Sequence, residues 1–224
     1  MPAMTASPHA LTQRLPAHDA EPLPSCASPH GGYARAMLSI LEVPLVRRQA
    51  APISVATYHA MAAQGLVDKR TELLRGVIVE KMSKSPLHVF ISRQLFRLAE
   101  NAAVENLIVR QEAPLTLSDS EPEPDIAVAV GLEKDFRRAH PTGALLVMEV
   151  AVSSVEIDRE KATIYAAAGV GEYWLVLPES ATIEVHTAPR DGGYAERRVF
   201  TRTDTVVSQA LPALRVNLGE LFAE

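Results

Sequence analysis

The chain has 224 residues, of which 47% are hydrophobic and 22% charged, a balance that excludes collagen-like, mucin-like and wholly disordered proteins. Its net charge is −5, and residues 1–52 set Arg14, Arg35, Arg47 and Arg48 against Asp19, Glu21 and Glu42, so the acidity lies in the remainder. Bulk charge argues against a protein that coats nucleic acid, without excluding a local basic groove beside an acidic metal site.

Taken in chain order, the first segment holds eight of the 16 prolines and three of the seven histidines, with Tyr33 as the only aromatic up to residue 52. Such a stretch buries too little to offset its ordering entropy. Residues 1–50 are expected to be mostly disordered, apart from a short helix near 34–41, with Met37 as an alternative translation start. Pro2, Pro8, His9, Pro16 and Asp19 interrupt any signal-peptide core, and the single cysteine, Cys26, cannot form an internal disulfide. A reducing cytoplasm is the expected compartment. Residues 51–224 are expected to form one domain.

Within that domain, 54–64 predicts a short helix stopped by Gly65, and 71–82 a strand, a turn at Arg75-Gly76 and a second strand. After Pro86, Ile91, Leu95 and Leu98 recur at helical spacing over 88–100, with Arg93 and Arg97 on another face. Strands are expected at 107–117, 125–130 and 144–152. The last is apolar except for Glu149, as a central strand would be, and is far shorter than the roughly 18 residues that cross a bilayer. Ser153 with Glu156 reads as a capping box for a helix that ends at Gly169, and 172–177 as the next strand. A hairpin of 182–187 and 194–201 around Asp191-Gly192-Gly193 follows, and 211–222 closes the domain. The fold class is α/β with a mixed sheet. From His88 the order is helix, three strands, helix, strand, with an N-terminal β-hairpin and a β-rich C-terminal extension.

An ionised Glu149 in an apolar strand is costly unless it is paired or metal-bound. Asp125 begins the preceding strand, with the small Ala127 and Ala129 beside it. If the two strands are neighbours, two carboxylates converge, and hard oxygen ligands of this kind suit Mg²⁺ or Mn²⁺. Lys161 lies two turns into the following helix and can lean back toward Glu149, either as a structural ion pair or to orient a water and stabilise charge on an attacked phosphate. Asp158 sits in that helix's first turn, where the dipole favours an anion.

Four blocks, at 71–76 (TELLRG), 123–128 (EPDIAV), 146–150 (LVMEV) and 165–176 (YAAAGVGEYWLV), resemble the Uma family of restriction-endonuclease-like proteins. The likeness runs over 52–224 and rests on the order and spacing of all four. That family is similar to the PD-(D/E)XK nuclease superfamily, whose restriction-endonuclease-like core is also helix, three strands, helix, strand. The resemblance implies that Asp125 is the Asp of the PD motif, Glu149 the following acidic residue and Glu72 the earlier glutamate. The motif's lysine, expected at 151, is Ala151 here, and Lys161 from the next helix fits its role. Other departures are Arg75 and Leu177, where the family often has Asp, and one residue fewer between Asp158 and Lys161.

The expected function is that of a divalent-metal-dependent endonuclease hydrolysing DNA phosphodiester bonds. Asp125, Glu149 and the Val150 carbonyl would hold Mg²⁺ or Mn²⁺, with Lys161 acting on the water or the phosphate. The alternative is a nuclease-like fold without catalysis, serving as a nucleic-acid or protein binding module. The acidic domain, Ala151 and the shortened spacing motivate it. Arg93, Arg97, Lys81 and Lys84 are the candidate phosphate contacts, and Lys134, Arg137 and Arg138 are solvated surface unless they line the same groove. His88 reads as a core or helix-start residue, and Tyr165, Tyr173 and Trp174 as packing. A homodimer is expected by analogy with duplex symmetry.

Overall fold

The computed structural model describes residues 43–190 and 192–223. The chain divides between Ala50 and Ala51, and the two parts are taken separately. Before the division, Pro44–Gln49 forms a helix (α1) with no buried residue. The expectation for residues 1–50 was a mostly disordered segment, of which only these last positions are among the described residues. Pro44 is tolerated in a first turn, and Arg47 and Arg48 meet the negative end of the helix dipole. The helix expected at 34–41, and Cys26, lie outside the described residues.

After the division come α2 (Val55–Ala63), β1 (Thr71–Leu74), β2 (Val77–Glu80), α3 (Pro86–Ala102), β3 (Leu107–Gln111), β4 (Ile126–Val130) and β5 (Leu146–Val150). Then follow α4 (Val155–Ala167), β6 (Glu172–Leu177), β7 (Thr182–Arg190), β8 (Gly193–Phe200), β9 (Thr205–Val207), β10 (Arg215–Asn217) and α5 (Leu218–Leu221). Strands β3 to β8 form one six-stranded sheet in sequence order, in which only β5 and β6 run parallel. The run α3-β3-β4-β5-α4-β6 is the expected core. Among the described residues, no helix is long and apolar enough to cross a membrane.

Alternation along the strands builds two cores, one on each face of the sheet. Ile126, Val128, Leu146, Met148, Val150, Trp174 and Val176 pack with Ile91 and Leu95 of α3 and with Val206, Val216 and Leu218 of the C-terminal extension. Ala127, Val147, Tyr173 and Leu175 face the other way, against Ala162 and Tyr165 of α4. Glu149 shares the parity of Val147, so it points at α4. Asp125 shares the parity of Ala127 and lies just before β4.

Two local features place the hairpin β1–β2. Arg75 and Gly76 both have positive φ, 47° and 76°, the left-handed pair of a two-residue hairpin turn. A Cβ on Gly76 would collide with Pro52, which fixes glycine there.

Two expectations are corrected. The strand expected over 107–117 ends at Gln111, because Glu112 adopts a left-handed φ of 49° and its N–H turns to the Asp125 carbonyl at 3.1 Å. That break sends Leu115 and Leu117 into the α4-side core. The capping box at Ser153 does not form. Ser154 is the N-cap and makes no cap hydrogen bond through its side chain, which donates instead to the Asp158 carboxylate.

Candidate active site

The ladder between β4 and β5 ends at the Ile126–Met148 pair, so side chains take up the main chain beyond it. Val150 N–H donates to Asp125 Oδ2 at 2.8 Å, and Asp125 N–H donates to Glu149 Oε2 at 3.2 Å. This reciprocal pairing sets the two carboxylates side by side. Glu149 Oε1 accepts from the Tyr165 hydroxyl at 2.8 Å and from Lys161 Nζ at 3.3 Å. Lys161 Nζ also stands 2.9 Å from Glu72 Oε1 and 3.6 Å from Asp158 Oδ1. Glu72 is aimed by β1 and fixed at its other oxygen by the Glu123 N–H, 3.2 Å away.

On the opposite flank, Asp125 Oδ1 lies 2.9 Å from both Lys84 Nζ and His88 Nε2. His88 is presented by the first turn of α3, where Ser85 caps the helix by accepting the His88 N–H at 3.2 Å. Glu72, Asp125, Glu149, Asp158 and Lys161 are each at most 6% exposed. They line one cavity together with Lys81, Met82, Lys84 and His88.

Electrostatics separates the two central carboxylates. Burial, reinforced by Asp158, Asp125 and Glu72, pushes Glu149 up to about 8 against the pull of Lys161. Burial also works to raise Asp125, but the His88 hydrogen bond, the charges of Lys84 and His88 and the Val150 N–H outweigh it, and its carboxyl is held below the ordinary range. Asp158 is raised, mainly by burial. Burial lowers Lys161, yet its carboxylate neighbours prevail and lift it above the usual lysine value. A proton-holding acid beside an ionised one is the division of labour that active sites use.

The structure thus brings together Glu72, Asp125, Glu149 and Lys161, the four residues expected from the sequence. Lys81 and Lys84 line the same cavity, each engaged by a carboxylate: Lys81 with Glu123 at 2.8 Å, Lys84 with Glu112 at 3.0 Å as well as with Asp125. Arg93 and Arg97 do not line it and sit on the solvent side of α3, and Lys134, Arg137 and Arg138 follow the far end of β4. His88 and Tyr165, read from sequence as packing, belong to the cluster. Signals for both were present: Tyr165 is one turn after Lys161 on the same helix face, and His88 heads the Ile91–Leu95 stripe that points at the sheet.

By donor type, Asp125 and Glu149 fit a hard divalent cation. Among the described residues, no three His, Cys, Asp or Glu side chains are grouped to enclose such an ion. The ammonium groups of Lys84 and Lys161 balance the carboxylates instead.

The fold and this carboxylate–lysine cluster define a restriction-endonuclease-like protein. A crystal structure from Anabaena variabilis ATCC 29413, described as a "putative nuclease belonging to DUF820", shares the fold, with a TM-score of 0.64 at 18% identity, covering 77% of this chain and 98% of the other. No curated protein matches the sequence. The chain belongs to the Uma2 family, described as "Putative restriction endonuclease", which matches residues 55–219. Family and fold together support a nuclease.

Proposed function

We propose that the protein is a divalent-metal-dependent endonuclease acting on DNA phosphodiester bonds. The observation that carries this reading is the interlocked pair Asp125 and Glu149 at the end of the β4–β5 ladder, with Lys161 on Glu149. Asp125, Glu149 and the Val150 carbonyl would hold Mg²⁺ or Mn²⁺, which when bound would supply positive charge to the attacked phosphate and to the leaving oxygen. Lys161, fixed by three carboxylates, holds a proton-rich ammonium beside Glu149 and favours negative charge on the phosphate. Tyr165 keeps Glu149 Oε1 oriented. Glu149, able to hold a proton near neutral pH, can release it as the site loads. Lys81 and Lys84 border the cavity and would supply contacts to a phosphate backbone entering it.

The test is cleavage of duplex DNA, single-stranded DNA and RNA with Mg²⁺ or Mn²⁺, beside Asp125→Ala, Glu149→Ala and EDTA. DNA cutting that needs the metal and disappears in both variants is the expected result. Equal cutting by Asp125→Ala would overturn the assignment. A non-catalytic binding module has one observation in its favour: both Asp125 oxygens already have protein donors. Its signature is nucleic-acid binding without cutting under any metal.

A further inference from the structure

Lys84 is not accounted for by the nuclease pattern of paired carboxylates and one lysine. It lies on the segment between β2 and α3, which lines the cavity, and its side chain is 30% exposed, unlike the buried Lys161. Its ammonium makes two ion pairs: 2.9 Å to Asp125 Oδ1, inside the cluster, and 3.0 Å to Glu112 Oε1, which is 46% exposed. Glu112 is held at that spot by its left-handed backbone and the bond from its N–H to the Asp125 carbonyl. Asp125 Oδ2 accepts from Val150 N–H and Oδ1 from Lys84 and His88, so a cation binding this carboxylate meets the Lys84 ammonium as the nearest competing charge.

We infer that Lys84 is a tethered competitor for the divalent cation, seated on Asp125 when the cation is absent and retained by Glu112 when it is displaced. This rests on the metal-site reading given above and adds a regulatory element to it. Two positive charges do not share one carboxylate oxygen without mutual repulsion, so a cation at Asp125 must push the ammonium outward. Glu112 lowers the penalty of that exchange because the displaced ammonium can move fully onto its carboxylate instead of being left without a partner. The lysine thereby sets the free-cation level at which the site loads.

Opposite effects are expected at the two ends of the pair. Lys84→Met should tighten Mn²⁺ binding by about tenfold or more, the scale of losing one competing charged hydrogen bond, and Glu112→Gln should weaken it by about threefold or more. Lys81→Met, which removes an equal charge from the same cavity but from a lysine paired with Glu123, should change affinity by less than about threefold, since it leaves only a screened long-range effect. Affinity is read on the full chain by calorimetric titration with Mn²⁺, after circular dichroism and urea unfolding confirm that each variant is folded. Should Lys84→Met fail to fold, Glu112→Gln and Lys84→Arg take its place. Arginine keeps the charge and should leave affinity near the parent value. Unchanged or weaker binding in Lys84→Met, equal tightening in Lys81→Met, or unchanged binding in Glu112→Gln would each overturn the competitor role while leaving the metal site standing. No Mn²⁺ binding by the parent would overturn both.

Discussion

Replacing Lys161 with methionine, close in length and without charge, should destabilise the protein severely. Lys161 is 6% exposed and stands 2.9 Å from Glu72, 3.3 Å from Glu149 and 3.6 Å from Asp158. The substitution leaves three buried carboxylates facing one another with no cation among them. Breaking a buried ion pair by removing one partner costs about 3–5 kcal/mol, and at roughly 2–4 °C per kcal/mol for a domain of this size the melting temperature should drop by about 6–20 °C. The pH dependence is specific to this cause. Without the lysine the native carboxylates hold protons more tightly than unfolded ones do, so the deficit is largest where they would be ionised and shrinks as pH falls. Urea unfolding of parent and variant at pH 7.5 and pH 5, extrapolated linearly, measures both effects. A loss under about 1 kcal/mol, or the same deficit at both pH values, would refute the view that Lys161 is the electrostatic centre of the cluster.

Other outcomes follow from the same geometry. Glu149, pushed up to about 8 by burial and its acidic neighbours, is protonated below that pH, so Mn²⁺ must displace a proton. Affinity should rise by up to about tenfold per pH unit between pH 6 and pH 8 and level off above, and calorimetry in buffers of different ionisation enthalpy should record the released proton; a flat profile would contradict it. Glu172→Ala strips the acceptor from Trp174 Nε1–H, the Ser208 hydroxyl and Ala210 N–H, and should cost about 3 kcal/mol or more by denaturant titration. Gly76→Ala must adopt a left-handed φ and push against Pro52, and a loss of at least about 1 kcal/mol is expected by the same assay. An unchanged midpoint would show that the turn relaxes.

Much of this was legible because strands reveal their faces by parity. Glu149 stood out as a charge in an apolar run, but the run is apolar at both parities, so the face it points to came only with the packing of Val147 and Ala151 against α4. Helix α4 was legible through Gly169, although its start was misread: a hydroxyl next to a first-turn carboxylate has two uses, and Ser154 serves Asp158 rather than the backbone. The length of β3 was not legible, because the left-handed Glu112 carries no sequence signature; glutamate is not a residue that favours that conformation. The site was half visible for a similar reason. Glu72, Asp125, Glu149 and Lys161 announce themselves by charge, whereas His88 and Tyr165 differ from core residues only in what lies at the tip of the ring. Lys84 could be seen as basic, but its carboxylate partners come from segments whose meeting depends on the turn at Glu112.

The hairpin β1–β2 is a separate two-stranded sheet, and two strands alone are marginal in water. It is clasped to the rest by the reciprocal main-chain bonds of Leu73 with Glu121, at 3.3 and 2.7 Å, and by Gly76 N–H to the Asp119 carbonyl at 3.0 Å. Further bonds tie it down, from Arg75 to Ser120 and Thr163 and between Glu72 and both the Glu123 N–H and Lys161, but all of them lie outside the main ladder, so the hairpin can open as a unit while the six-stranded sheet stays closed. Such opening carries Glu72 away from Lys161, which keeps Glu149 and Asp158. The cluster is then assembled from two layers of unequal permanence: a pair of acids and a lysine that persist as long as the main sheet does, and one acid that comes and goes with the hairpin. Amide hydrogens of β1 should accordingly exchange faster than those of β5, and loss of activity on warming should precede loss of the main sheet.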